Sequence, residues 1–249
     1  SDSIRIFKDS PSCRRKYFNI EISQINKIYL ANLNNYNLVL RQRNEFLKII
    51  NINKESDMNY LDILNDKYIG LSIVIYNFRR KYLDLVNKYI DDIFSSITGL
   101  EGLKMIYTSN VSNLDNDMFK DKLKSNLSRE IQYKITFIGP NRDDFYFDLN
   151  GKNLSLYGSN GQIRSAVLAL KLAEVKLFTD VLSNTPILLL DDIFSELDID
   201  KRNKVIKYLD NDIQTIVTTT DIENINKNVR KKANVYKIEN GKIISREII

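Results

Sequence analysis

Residues 187–198 read Ile-Leu-Leu-Leu-Asp-Asp-Ile-Phe-Ser-Glu-Leu-Asp. Four large aliphatic side chains run without a break into two adjacent carboxylates, Asp191 and Asp192. Such a run predicts a strand of a parallel sheet, buried on both faces. The carboxylates then stand at its C-terminal end, where open α/β sheets take up their ligands. Two readings are open for the pair. One is the Mg²⁺-holding and water-polarising groups of a nucleotide hydrolase. The other is a core strand that ends in an Asp-Asp turn.

Upstream, residues 157–174 read Tyr-Gly-Ser-Asn-Gly-Gln-Ile-Arg-Ser-Ala-Val-Leu-Ala-Leu-Lys-Leu-Ala-Glu. Ile163, Val167, Leu170, Ala173, Leu177 and Val181 fall at helical spacing, which predicts a helix with one buried face. Ser159 and Gly161 stand at its start. Unpaired N–H groups and the positive end of the helix dipole suit a phosphate there. Ser and Asn are equally common as plain helix caps. Ser-x-Gly-Gln gains specificity from its place in the chain, ahead of a helix and, about twenty-five residues on, the aliphatic-Asp-Asp strand.

Further out, the N-terminal half is helical. From Ile20 to Ile52, Tyr29, Leu33, Tyr36, Leu40, Leu47 and Ile50 recur at threes and fours. Residues 51–57 are polar and predict a turn. A second stretch, Met58 to Ile97, carries Leu61, Leu64, Tyr68, Leu71, Ile75, Phe78, Tyr82, Leu85, Tyr89, Ile93 and Ile97 at the same spacing. Two such helices with a short link pack antiparallel. Gly99 and Gly102 close this unit, residues 103–108 read as a strand and 116–130 as a helix. From Ile131 the pattern turns α/β. Asp144–Leu149 predicts a strand, Asn150-Gly151 a hairpin turn and Asn153–Tyr157 the return strand. A helix near Asp200–Leu209, a strand at Thr215–Thr219 and a hairpin, Val235–Ile238 to Ile243–Ile248 through Asn240-Gly241, complete the chain.

Composition narrows the chemistry. Hydrophobic residues make up 43% of the 249 positions, enough for a sizeable core. One cysteine, Cys13, excludes an internal disulfide framework, and the absence of histidine removes imidazole acid–base catalysis and the usual zinc sites. No stretch approaches a membrane span. The net charge of +5 is compatible with nucleic-acid binding without pointing to it. The basic clusters at residues 14–16, Arg41/Arg43, Arg79-Arg80-Lys81 and 230–232 read first as solvated surface.

The order Ser159-Asn160-Gly161-Gln162, Leu188-Leu189-Leu190-Asp191-Asp192, Ser195-Glu196-Leu197-Asp198 resembles the signature, Walker B and D-loop of ABC-type ATPases. More narrowly the chain resembles the RecF family of SMC-like recombination mediators. Ser10-Pro-Ser-Cys-Arg-Arg15 is similar to that family's Pro-Ser-x-Arg-Arg segment. Gly139-Pro-Asn-Arg-Asp-Asp144 is similar to its Gly-Pro-His-Arg-Asp-Asp segment, with Asn141 in place of His.

The resemblance implies an α/β ABC/SMC-type ATPase head with an inserted helical subdomain. Residues 1–19 would belong to the ATPase lobe, 20–130 to the helical insertion and 131–249 to the C-terminal part of the ATPase lobe. It further implies ATP and Mg²⁺ as cofactors, with Asp191 on the metal and Asp192 as the catalytic carboxylate where Glu is usual. Ser159, Gly161 and Gln162 would meet ATP held by the opposite subunit, Ser195 and Asp198 would form the D-loop, and Thr220 would stand where many ABC ATPases carry a switch histidine. The implied role is in DNA replication, repair, recombination and the SOS response, in the cytoplasm. It proceeds through an ATP-dependent homodimer that grips gapped DNA or single-strand/double-strand junctions and, with RecO and RecR, promotes RecA loading.

One departure is plain. The P-loop pattern Gly-x-x-x-x-Gly-Lys-Ser/Thr does not occur; Gly99–Lys104 and Gly151-Lys152 lack its spacing. The expectation is a piece lacking roughly the first third of the family's layout and inactive as an ATPase by itself. Another SMC-like repair ATPase, and a DNA- or partner-binding module independent of nucleotide, are the alternative readings.

Overall fold

The computed structural model describes Phe7, residues 9–182, 186–191, 213–220 and 233–247, and positions 201, 204, 205, 222, 230 and 231. The expected helix at Asp200–Leu209 lies largely outside the described residues.

Helix α1 (Pro11–Ile25) opens with Pro at its first position, where the missing N–H costs nothing. It ends at Asn26, whose side chain accepts the Tyr29 N–H at 2.8 Å and so caps α2 (Lys27–Phe46). Sequence periodicity alone runs across this break. A turn at residues 47–54 leads into α3 (Glu55–Val86). Contacts between α2 and α3 run in opposite senses: Tyr29 meets Phe78, Tyr36 meets Tyr68, and Arg43 meets Asn65. The two helices are therefore antiparallel, as the short polar link between them predicts.

The expected second helix breaks after Val86 instead of running on to Ile97. The reason is Asn87, whose amide donates to the Met105 carbonyl at 2.9 Å and accepts the Met105 N–H at 2.8 Å. It docks on strand β1 (Leu103–Thr108) as a neighbouring backbone would. Helix α4 (Ile90–Thr98) then starts anew and ends at Gly99, at a left-handed φ of 77°. Asp91 ties α4 to the same strand by accepting the N–H groups of Gly102 and Leu103 at 2.7 and 2.8 Å.

After α5 (Asn116–Tyr133), strand β2 (Asp144–Leu149) pairs antiparallel with β1 along its whole length. Asn150 and Gly151 have φ of 52° and 81°, the double positive φ of a type I′ hairpin turn. The return strand β3 is only Lys152–Asn153. Asn153 then caps a single turn, α6 (Leu154–Tyr157), by accepting the Ser155 N–H at 2.9 Å, so the strand expected over 153–157 is mostly helical.

Helix α7 (Asn160–Leu182) is the centre of the molecule. Ser165–Leu170 are all buried, as are Leu172–Val175, Leu177 and Phe178, so the helix is enclosed on most sides rather than along one face. Val181, expected on the core stripe, is exposed. Strand β4 (Leu188–Asp191) pairs parallel with β5 (Thr215–Thr218). Leu188 and Leu190 are buried, but Leu189 is 67% exposed and lies opposite Ile216, 49% exposed. The strand is thus covered on one face, a correction to the two-sided burial its aliphatic run predicts. Hairpin β6 (Val235–Glu239) and β7 (Lys242–Glu247) turns through Asn240 and Gly241, again both at positive φ. Among the described residues no helix is long and apolar enough to cross a membrane.

Candidate nucleotide and nucleic-acid sites

Two constellations correspond to the sequence motifs. The first is the start of α7. The Gln162 N–H donates to Ser159 Oγ at 3.2 Å, and Gln162 Oε1 accepts the Ser159 N–H at 2.9 Å. This reciprocal pair is a capping box. It fixes Ser159 and Gln162 against each other and leaves the Ser159 hydroxyl proton free to donate outward. Gly161 is exposed, and a Cβ there would meet only Ser159 Oγ, at 3.9 Å. Among the described residues nothing crowds Gly161. Gly158, by contrast, is held by packing, since a Cβ would lie 2.6 Å from the Leu154 carbonyl oxygen.

The second constellation is the C-terminal end of β4 and β5. Asp191 is exposed, and its Oδ1 accepts the Thr218 hydroxyl at 2.6 Å. Thr220, exposed in a bend, follows two residues beyond Thr218. The parallel register therefore brings Asp191 to the threonine run, leaving Oδ2 for a further ligand. Asp192, Ser195 and Asp198 lie outside the described residues. Ser159, Gly161 and Gln162 sit on a separate element and share no hydrogen bond with Asp191.

Behind these sites lies a set of buried charges that sequence reading missed. The Arg14-Arg15 and Asp143-Asp144 segments pair with each other across 130 residues. Arg14 grips Asp144 with two bonds, Nε–Oδ1 at 2.6 Å and Nη2–Oδ2 at 2.8 Å, and Arg15 donates to the Asp143 carbonyl at 2.8 Å. Asp143 is fully buried; its Oδ2 accepts Arg79 Nη1 at 2.6 Å and a short bond from the Tyr107 hydroxyl. Burial, then the Asp143 charge, raise the Tyr107 hydroxyl well above its ordinary pKa. Arg79 also donates to the Pro140 carbonyl at 2.8 Å and to Asn19 at 3.0 Å.

Gly139 has φ 135°, and a Cβ there would overlap the Tyr68 hydroxyl. Asn141, standing where the family resemblance places His, is a bracket. Its Nδ2 donates to the Thr136 carbonyl at 2.9 Å, its N–H donates to the Tyr36 hydroxyl at 2.9 Å, and its Oδ1 lies 3.0 Å from the Tyr68 hydroxyl.

Arg43 is wholly buried between α2, α3 and α5. It reaches Glu130 at 2.7 Å, Asn65 at 2.8 Å and Thr136 at 2.7 Å. Arg43, Arg79 and Arg14 are thus internal ion pairs, not the solvated surface their sequence clusters suggest. One sequence signal exists: Arg43 and Arg79 fall on the apolar stripes of their helices, three or four residues from Leu47, Ile75 and Tyr82. Glu174 of α7 is also buried, accepting the Tyr17 hydroxyl at 2.6 Å and the Tyr82 hydroxyl at 2.9 Å. It fastens the helix that Ser159 caps to α1 and α3.

A capped α7, a parallel β4/β5 pair and a helical arm invite comparison with known proteins. No family model matches. The DNA replication and repair protein RecF of Lachnospira eligens is 39% identical over 246 residues, covering 98% of this chain and 67% of the relative. That of Clostridium perfringens is 39% identical over 245 residues, covering 97% and 66%. The chain belongs to the RecF family. A solved structure described as the recombination mediator protein RecF-ATP in the RecFOR pathway superposes with a TM-score of 0.83 at 31% identity, over 99% of this chain and 66% of that one. A second, RecF-ATPrS, gives 0.81 at 30% identity. The chain spans about two thirds of the length of these RecF proteins, and its fold is that part of a RecF-type ATPase head with its helical subdomain.

Proposed function

We propose that the chain is the signature and Walker B portion of a RecF-type, ATP-dependent DNA clamp that acts in the cytoplasm as a recombination mediator. Residues 1–19 and 131–249 form its share of the ATPase lobe and 20–130 the helical lobe. The observation that carries the reading is the start of α7. Ser159 keeps a hydroxyl to donate, and Gly161 is bare where the packing of the described residues sets no demand for bareness. A γ-phosphate held by a second subunit fits that position, favoured by the positive end of the α7 dipole. ATP therefore acts as the glue of a homodimer.

Asp191 suits a Mg²⁺ ligand, directly or through water, because Thr218 occupies only one of its oxygens. The ion would neutralise charge on the transferred phosphoryl group. Asp192 is assigned to orient the attacking water; one methylene shorter than the usual Glu, it implies slow turnover. Thr220 offers only a hydroxyl toward the γ-phosphate, and Ser195 and Asp198 link the two sites. Gapped or junction DNA is the clamp's substrate, with RecO and RecR as partners in RecA loading.

The test is light scattering with Mg²⁺ and ATP on this chain and on a version extended to include a RecF P-loop. The extended protein should dimerise with ATP, and Ser159→Arg should block dimerisation while sparing nucleotide binding. Absence of any ATP response in the extended protein would remove the clamp reading. It would leave a nucleotide-independent DNA- or partner-binding module.

A further inference from the structure

Arg129 and Arg142 each precede a carboxylate in sequence, in Arg129-Glu130 and Arg142-Asp143-Asp144. Each of those carboxylates is turned away and already neutralised from inside. Glu130 accepts Arg43 at 2.7 Å and the Phe137 N–H at 2.7 Å. Asp143 takes Arg79, and Asp144 takes both prongs of Arg14. The interior arginines therefore use up the counter-charges that the outer two would otherwise have. Among the described residues, neither Arg129 nor Arg142 has a carboxylate partner.

Both outer guanidinium groups rest on one ring. Arg129 Cζ lies 4.4 Å and Arg142 Cζ 5.0 Å from the centroid of Phe137. The Arg142 side chain makes one further bond, Nε to the Thr136 carbonyl at 3.2 Å, and the residue is exposed. Stacking on a ring holds a guanidinium plane while leaving its N–H edge open for a phosphate. The shared ring also keeps two like charges within a Debye length of each other, where they repel until an anion arrives. Tyr133 meets Phe137 edge-on at 5.7 Å and is 57% exposed, and Lys134 beside it is exposed.

We propose that Arg129 and Arg142, mounted on Phe137 at the junction of α5 and the Gly139–Asp144 segment, form a binding surface for the phosphate backbone of a DNA strand, with Tyr133 as the stacking face for an unpaired base. It rests on the DNA-binding reading above and supplies its contact residues. An aromatic beside paired guanidinium groups favours a nucleic-acid strand over an acidic peptide, because the peptide has no base to stack.

Fluorescence anisotropy with labelled single-stranded and duplex oligonucleotides over a salt series tests this. Both this chain and the P-loop-containing extension with ATP serve. The Arg129→Ala/Arg142→Ala variant should bind about tenfold weaker per guanidinium near 0.1 M salt, with the salt slope reduced by about two. Arg129→Lys/Arg142→Lys should restore most of the slope. Tyr133→Ala should weaken single-strand binding more than duplex binding.

Arg129→Ala alone, which removes only a ring contact, guards against misfolding and should lower the slope by about one. Unchanged affinity and slope in the double Ala variant would overturn the assignment. So would a loss that Lys fails to restore, which would mean damaged packing instead of lost charge. Wild-type protein that binds neither oligonucleotide would bring down the clamp reading together with this one.

Discussion

Gly161 and Glu174 stand on the same helix and answer to opposite constraints. Among the described residues nothing crowds Gly161, and it has no left-handed φ, so their packing gains nothing from its missing side chain. Gly161→Ala should therefore raise the unfolding free energy slightly, by up to about 1 kcal/mol of helix propensity, read from the denaturant midpoint. In the P-loop-containing protein it should weaken ATP-driven dimerisation. Full dimerisation in the variant would mean that no ligand approaches this backbone. Glu174, by contrast, is demanded by the interior. Burial pushes its carboxyl up to about 7 from 4.5, against the opposing charge of Lys171.

Between those two pH values the folded chain holds a proton that the unfolded chain has released. The stability Glu174 contributes is thus present at low pH and lost as pH rises through about 7. Relative to Glu174→Gln, the wild type should lose on the order of 2–3 kcal/mol between pH ~5 and ~8. Denaturant titrations at the two pH values measure this, and parallel behaviour of both proteins would refute it.

At the scale of elements, α2, α3 and α5 are joined by one buried cluster around Arg43. Every polar atom of the Arg43–Glu130 pair is engaged, so removing one partner leaves a naked charge in the interior. Arg43→Ala should cost about 3–5 kcal/mol, read from the denaturant midpoint. A loss below about 1 kcal/mol would show that water reaches Glu130. Much of this layer is legible in sequence. Asp144–Leu149 shows itself by alternation, both Asn-Gly turns by residue type, and the helical arm by its Tyr and Leu stripes.

The motifs Ser159–Gln162 and Leu188–Asp192 are equally plain, because local spacing carries them. What stays hidden is what distance in sequence hides. Arg43, Arg79 and Glu174 look like surface residues because their partners lie scores of residues away. The one-sided cover of β4 is invisible because four consecutive aliphatics show no alternation, although Ile187 and Leu189 are exposed. The break after Val86 depends on Asn87 finding β1, which no helical periodicity encodes.

For the whole molecule, the two segments by which RecF resemblance is read near the ends of the helical lobe, Ser10–Arg15 and Gly139–Asp144, turn out to be the two halves of one clasp. Helix α1 is fixed by Asp144, 130 positions away, and by Glu174, 157 positions from Tyr17. The direct contacts between α2 and α3 close sooner, over 22 to 50 residues. On a ribosome that order becomes time. At about 5–20 residues per second, α1 emerges and then waits on the order of ten seconds for its clasp to be made. During that wait Tyr17 lacks Glu174 and Phe18 lacks Phe145, the partners that cover them in the folded chain. Stalled nascent chains ending before and after Glu174 should differ sharply in protease cleavage within α1, and equal cleavage in both would show that the helix finds shelter earlier.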